Sequence, residues 1–269
     1  MTVHFVTIAT ESKYYFPYLL KSCEKFNYNL KILGFGEKWK GFNWRNKLVL
    51  EYLNELNEND IIIFIDAYDV IFIRDSVEFE KTFLNLYKQH NFKMIVGYDN
   101  LKHSLFLNKI MVKFLFGSCN GVSLNAGTYG GFVKDIKIII RNILTINNEN
   151  EADDQVMLTK YCNENNNDVF IDTENKLFLT LDKPFHFIED NLIFNNKNQI
   201  QYNNNFPFIL HAPGSSFLDK TINKLQLDTD CQVNKEIRNK YGIINYYCYK
   251  YYYLIIILIL IFFIIFYKI

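Results

Sequence analysis

The stretch IIIFIDAYDVIFI, Ile61 to Ile73, places two carboxylates inside an apolar run. The five apolar residues before Asp66 predict a strand that is buried on both faces. An unpaired buried carboxylate is costly, so Asp66 and Asp69 must reach water or a positive charge. Residues three apart in a strand point to opposite faces, so the two acids can act together only if the strand ends near Asp66 and turns through Ala67 and Tyr68.

Strands and helices alternate around this stretch. We predict strands at 3–9, 30–35, 60–67 and 93–98, with helices at 12–26, 44–56 and 76–90. The alternation is typical of a mostly parallel sheet with helices on both faces. It weakens after Asp99, where the segment 124–133 is Gly-rich. Further helices are predicted at 134–144, 153–162 and 215–227, and short strands at 169–173, 178–181 and 207–214.

Composition excludes some classes of function. The 269 residues contain 29 basic and 29 acidic side chains, so a general electrostatic attraction to nucleic acid is not expected. The five cysteines are odd in number and form no CxxC motif, which we interpret as free thiols in a reducing compartment. The first ten residues alternate like a strand and lack the features of a signal peptide.

The C-terminal part contains 17 consecutive uncharged residues, YYYLIIILILIFFIIFY at 251–267. This length is at the short end of a membrane-spanning helix, and the leading tyrosines suit a bilayer interface. A buried core strand or helix is the alternative. We predict a main domain at 1–227, a linker at 228–250 and a single-pass anchor at 251–267, with the main domain on the cytosolic side of the membrane.

Asp66 and Asp69 suggest a site for a hard cation. Two carboxylates at the carboxyl end of a central parallel strand lie where open α/β sheets bind ligands. They suit Mn²⁺ or Mg²⁺, with phosphate oxygens completing the coordination shell. A helix cap or a surface turn is the alternative, because D-x-x-D alone is a weak pattern.

Several motifs occur in one order along the chain: ILGFGEKWKG, NKLVLEYL, DIIIFIDAYDVIF, LNAGTYGGF, DDQ and ILHAPG. Their order resembles the glycosyltransferase domain of the procollagen lysyl hydroxylase/glycosyltransferase family, which is related to the collagen galactosyltransferases. The likeness covers roughly residues 3–225. It implies a GT-A-like, Rossmann-type α/β sandwich, a UDP-sugar donor and Mn²⁺. It also implies transfer of a hexose to a hydroxyl acceptor, such as the hydroxylysine or galactosyl-hydroxylysine of a collagen-like protein.

The resemblance implies roles for individual residues. It makes Asp66, Asp69 and His211 the ligands of Mn²⁺. It implies contacts with the nucleotide-sugar for Trp39, Lys47, Tyr68 and Gly127, and for Lys220 if its side chain reaches the diphosphate. It places Asn125, Asp153 and Asp154 beside the donor sugar, where they bind hydroxyls or position the acceptor. Structural explanations remain open for each, such as a helix cap for the acidic pair and a solvated helix position for Lys47.

The chain also departs from the family pattern. Ala212 replaces a glycine after His211, and the lysine of the family is displaced, since Phe217 stands near its place and Lys220 lies further on. The segment NLKHSLFLNKIMVKFLFGSCNG replaces the aromatic acceptor loop, so the acceptor need not be collagen. A membrane-anchored protein that binds a nucleotide-sugar without catalysing transfer is therefore the alternative function.

Overall fold

The computed structural model describes residues 1–102, 104, 106–146, 153–181, 187–195, 199–214, 217–228 and 256–262. The strands in these ranges are β1 (Val3–Ile8), β2 (Leu30–Leu33), β3 (Ile61–Ile65), β4 (Val70–Phe72), β5 (Met94–Tyr98), β6 (Leu124–Phe132), β7 (Val169–Ile171), β8 (Phe178–Thr180), β9 (Ile193–Phe194), β10 (Ile200–Gln201) and β11 (Ile209–His211). The helices are α1 (Phe16–Lys25), α2 (Phe42–Leu53), α3 (Phe79–His90), α4 (Phe106–Phe116), α5 (Val133–Ile146), α6 (Asp154–Glu164), α7 (Phe187–Asp190) and α8 (Asp219–Leu225). A further helical segment lies at 256–262.

The central sheet has the strand order β2-β1-β3-β6-β5-β7. Its pairs β1/β2, β1/β3 and β5/β7 are parallel, whereas β6 runs antiparallel to both of its neighbours. The predicted α/β class with a mostly parallel sheet is confirmed. The antiparallel strand β6 was not predicted, since its sequence was interpreted only as a Gly-rich segment.

Strand β3 lies in the middle of the core, and all five of its residues are buried. Ile61, Ile63 and Ile65 join a cluster with α1, α3 and β4. The alternate residues Ile62 and Phe64 join a second cluster, formed with α2, α5 and α6. Layers therefore cover both faces of the sheet, which explains why β3 is an unbroken apolar run rather than an alternating one.

A smaller sheet, β4-β11-β8, brings a late part of the chain next to the end of β3. Strand β11 pairs antiparallel with β4, and His211 lies opposite Val70 in the register. It also pairs parallel with β8 on its other side. Because Val70 follows Asp69 directly, this pairing places His211 beside the acidic turn.

The prediction that all cysteines are free thiols is wrong for two of them. Cys119 and Cys162 form a disulfide across 43 residues of sequence, which joins the segment before β6 to helix α6. Cys23 is free and buried, and its burial raises the pKa of the thiol to about 12. Spacing alone gave no sign of the bond, because the paired cysteines lie on different elements.

Among the described residues, no helix combines the length and the hydropathy that a bilayer span requires. The predicted anchor at 251–267 lies outside the described residues except for 256–262, and the predicted linker lies outside them apart from Asp228. Both stay predictions.

Candidate metal centre and ligand pocket

The two acids of the opening motif lie on a turn between β3 and β4, as the sequence predicted. The backbone N–H of Asp66 donates to the carbonyl oxygen of Gly127 at 2.8 Å, which fixes it against β6. The N–H of Ala212 donates to the carbonyl oxygen of Asp69 at 2.8 Å, which fixes that residue against the end of β11. Neighbouring strands therefore hold the acidic turn at both ends.

His211 completes a group of three potential metal ligands. Its Nε2 lies 3.4 Å from Asp69 Oδ1 and 4.0 Å from Asp66 Oδ2. The ligand atoms of the three side chains all lie within 4.8 Å of one another. His211 is buried, yet neither ring nitrogen has a hydrogen-bond partner in the described part of the chain. A bound cation would satisfy one of these ring nitrogens, and two carboxylates with one imidazole can hold a divalent metal ion.

The electrostatics of this group also favour a bound cation. Burial and the neighbouring carboxylate of Asp69 together raise the pKa of Asp66 to about 6, against the opposing effect of Arg45. For His211, burial lowers the pKa, but Asp69 and Asp66 more than offset this and the net shift is upward. Two crowded carboxylates resist simultaneous ionisation, and a divalent cation between them removes that repulsion.

Gly127 leaves the space that this group needs. A Cβ atom at this position would collide with the His211 ring and would lie 2.7 Å from Asp66 Oδ2. The residue lies on β6, where Thr128 pairs with Ile65 at the end of β3. This position therefore requires glycine, because the side chains of His211 and Asp66 both approach it closely.

Arg45 is a site residue that sequence reasoning missed. It lies on α2, its side chain is 6% exposed, and its Nη1 donates to Asp66 Oδ1 at 3.3 Å. Its Nη2 forms a short ion pair with Asp154. Burial alone would lower the pKa of Arg45, but the carboxylates of Asp154 and Asp66 reverse this and raise it, so the guanidinium stays charged.

The two aspartates at the start of α6 have different surroundings. Asp153 is the N-cap of α6, and its carboxylate accepts hydrogen bonds from the N–H groups of Gln155 and Val156 at 2.9 and 3.0 Å. Asp154 turns into the pocket and meets Arg45. The geometry favours a capping role for Asp153, and the catalytic role predicted for it stays a prediction.

Asn125 is held in place by a polar network. Its Nδ2 donates to Asp99 Oδ1 at 2.8 Å, and its Oδ1 accepts the N–H of Gly127 at 3.0 Å. The other oxygen of Asp99 accepts from Gln155 Nε2 at 3.2 Å. Asp99 thus orients two amide side chains that line the pocket, of which Gln155 was not predicted as a site residue.

Two aromatic side chains border the pocket. The hydroxyl of Tyr68 accepts the N–H of Thr10 at 2.9 Å, which fixes the orientation of its ring. Trp39 is partly exposed and packs edge-on against Trp44, with 5.6 Å between the ring centroids. Flat apolar surfaces that remain accessible can stack against a nucleobase.

The pocket has a volume of about 370 Å³. The predicted site residues that line it are Trp39, Asp66, Tyr68, Asp69, Asn125, Gly127, Asp154 and His211. Lys47 is exposed on α2 and does not line it, nor does Lys220, whose ammonium binds the carboxylate of Asp190. The roles predicted for these two lysines therefore depend on movements that this structure does not contain.

The chain is similar to known proteins of one family. A family model described as the PLOD GT domain matches residues 1–236. A multifunctional procollagen lysine hydroxylase and glycosyltransferase of Caenorhabditis elegans is 27% identical over 241 residues, covering 78% of this chain and 30% of that protein. The human procollagen-lysine,2-oxoglutarate 5-dioxygenase 2 is 26% identical over 166 residues, covering 58% of this chain and 21% of that protein. The chain thus spans less than a third of the length of either relative.

One solved structure also aligns with the chain. It is a glycosyltransferase involved in the glycosylation of the major capsid of PBCV-1, with 11% sequence identity and a TM-score of 0.49. The alignment covers 85% of this chain and 100% of that chain. An alignment at this TM-score does not establish a shared fold.

Proposed function

Because the chain belongs to the family of PLOD GT domains and is a glycosyltransferase domain of that family, we propose that it transfers a hexose from a UDP-sugar to a hydroxyl acceptor with the help of Mn²⁺. The observation that carries this proposal is the convergence of Asp66, Asp69 and His211 in a pocket of about 370 Å³. Two carboxylates and an imidazole whose nitrogens make no hydrogen bond to any described residue suit a divalent metal that also binds a diphosphate.

The bound metal would offset the negative charge that develops on the leaving UDP. Asp66 and Asp69 would hold it from the turn after β3, and His211 from the end of β11. Tyr68 and Trp39 would bind the uridine through their ring faces, with the Tyr68 hydroxyl already fixed by Thr10. Pre-set side chains of this kind lower the cost of ordering the site when the donor binds.

The sugar would lie on the side of the pocket formed by β6 and α6. Asn125 is oriented by Asp99 and can exchange hydrogen bonds with sugar hydroxyls. Asp154 can accept a hydrogen bond from a hydroxyl of the donor or acceptor while it stays paired with Arg45. Gly127 lets the donor approach the backbone because it has no Cβ in this space.

The proposal has several finer features, of which the type of sandwich and the acceptor rest on the family relationship and the anchor on the uncharged run at 251–267. We propose a GT-A-type sandwich at 1–227, a linker at 228–250 and a membrane anchor at 251–267. A collagen-like acceptor is proposed because the relatives are procollagen-modifying proteins by name. The cytosolic side of the membrane stays a prediction, and the Cys119–Cys162 disulfide counts against it because such bonds persist in oxidising compartments.

A non-catalytic UDP-sugar-binding protein is the second candidate. The observation that favours it is Lys220, which binds Asp190 at the surface instead of reaching the pocket. Without a lysine near the diphosphate, charge on the leaving UDP would be stabilised less well.

Calorimetry with UDP separates these possibilities, using the full chain in detergent with and without Mn²⁺. We expect binding that depends on Mn²⁺, is lost in Asp69→Asn and is kept in Asp228→Asn, whose residue is exposed. Turnover of UDP-sugars by the same protein would support transfer, whereas binding without turnover would favour the second candidate. Absence of UDP binding under all conditions would exclude both.

A further inference from the structure

Helix α4 exposes a large apolar surface. Phe114 is 86% exposed and Phe106 is 74% exposed, and Ile110, Met111 and Leu115 are each about half exposed. All five of these residues lie on α4, which has 11 residues. Exposed apolar patches of this kind mark a surface that contacts a partner or a membrane.

The same segment carries a local positive charge. Lys102, Lys109 and Lys113 lie in or just before α4, and no acidic residue occurs from 101 to 120. The chain as a whole has a net charge of zero, so this segment concentrates positive charge that the rest of the chain balances. Lys109 Nζ also donates to the carbonyl oxygen of Lys102 at 3.1 Å, which ties the loop to the helix.

One side of α4 is attached to the domain. The helix packs against α6, and the disulfide between Cys119 and Cys162 joins the following loop to the same helix. Along the chain, α4 lies between Asp99 and Asn125, which are hydrogen-bonded to each other in the polar network at the pocket. The exposed side chains are therefore carried by a helix that packs on α6, whose first residue lines the pocket.

We propose that α4 lies in the interface of a bilayer that contains anionic phospholipids. A helix of 11 residues is too short to span a bilayer but can bury its apolar side chains at the level of the headgroups. Its lysines match the negative charge of anionic lipids. The 17 uncharged residues at 251–267 provide a second apolar segment that would bring the domain to the same surface.

The lysines also argue against a second copy of this chain as the partner that covers the apolar surface of α4. Apposing two copies of α4 would bring like charges together, which disfavours the contact. The inference goes beyond sugar transfer, and it can fail while the proposed function holds, or hold while that function fails.

Amide hydrogen exchange tests the proposal on the full chain. Vesicles of phosphatidylcholine, alone or mixed with phosphatidylserine, would be added, and exchange followed in peptides from α4 and α3. We expect exchange in α4 to slow about tenfold with phosphatidylserine vesicles while α3 stays unchanged, because α4 would leave the water. Phe106→Gln combined with Phe114→Gln should abolish the slowing, whereas the matched control Val77→Gln, at an 82% exposed residue outside α4, should keep it.

A second pair of variants tests the charge. Lys109→Gln with Lys113→Gln should weaken the slowing, and Lys81→Gln with Lys88→Gln on α3 should not. Unchanged α4 exchange with phosphatidylserine vesicles would overturn the proposal. So would equal slowing on phosphatidylcholine alone, or slowing without vesicles that grows with protein concentration, which would indicate a second copy.

Discussion

Arg45 and Asp154 form an ion pair inside the pocket, although 109 residues separate them in sequence. The other terminal nitrogen of Arg45 reaches Asp66, so one buried guanidinium links a predicted metal ligand to the first residue of α6. Removing either partner of a buried pair is costly because it leaves a charge without compensation.

Arg45→Met should lower the free energy of unfolding by about 3 kcal/mol, because Asp66 and Asp154 lose their counter-charge. Mn²⁺ should restore part of the loss, since a cation at Asp66 replaces the guanidinium. Denaturant unfolding with and without Mn²⁺ measures both effects. Arg74→Met is the control, because Arg74 pairs with Glu78 away from the pocket and should show no Mn²⁺ rescue. Equal stability of Arg45→Met and the unaltered protein would contradict the prediction.

Asp153→Ser should retain sugar transfer, because serine keeps the helix cap while removing the carboxylate. Asp153→Ala should lower the free energy of unfolding by about 1 kcal/mol through loss of the cap. Asp154→Asn should lose most of the activity, since it removes the charged partner of Arg45 in the pocket. Initial rates of UDP release from a UDP-sugar compare the three variants. Inactive, folded Asp153→Ser would restore the catalytic role predicted from sequence.

Gly127→Ala should weaken Mn²⁺-dependent UDP binding by about tenfold or more, because the added Cβ displaces His211 and Asp66. Calorimetry gives the affinity, and thermal unfolding shows whether the fold survives. Gly36→Ala is the control, because that position has open space although its φ of +84° carries backbone strain. The control should lose some stability but keep its affinity for UDP. Unaltered affinity in Gly127→Ala would show that the pocket adapts.

Cys119→Ser combined with Cys162→Ser should lower the free energy of unfolding by about 4 kcal/mol, the chain-entropy value for a closed loop of 43 residues. Alkylation without reduction, followed by mass spectrometry, should leave both cysteines of the unaltered protein unmodified and linked in one peptide pair. Treatment with a reductant should bring the unaltered protein to the stability of the double variant. Free, alkylated Cys119 in native protein would refute the bond.

The acidic turn was predictable because two carboxylates stand inside an apolar run of sequence. An apolar run that ends in Asp66 and Asp69 leaves few placements other than the end of a buried strand, which is where β3 ends. The pairing of β11 with β4 that brings His211 to them is not local in sequence. His211 was therefore proposed only through the family resemblance.

Arg45 was missed although the helical spacing contained a signal. Arg45, Val49 and Leu53 are four residues apart and share the buried face of α2. Lys47, which was predicted instead, lies on the exposed face. The helical period of α2 places Arg45 on the same face as these apolar residues. A buried arginine needs acidic partners, and the sequence offered Asp66 and Asp154.

Strand β6 was missed because glycine is unfavourable in strands. Its glycines are needed by close packing, which sequence does not reveal. A Cβ at Gly130 would lie 2.7 Å from the carbonyl oxygen of Ile62, and one at Gly131 would collide with the carbonyl oxygen of Lys93. The cysteine pairing was hidden for a similar reason, since it depends on how α6 packs.

The late position of β11 has a consequence for biosynthesis. The six strands of the central sheet are all present once the ribosome has made β7, which ends at Ile171. His211 is synthesised only with β11. A nascent chain can therefore form the central sheet before all three predicted ligands have been made. Domains can begin to fold during synthesis. Binding of a metal ion by all three predicted ligands would therefore have to wait until most of residues 1–227 have left the ribosome.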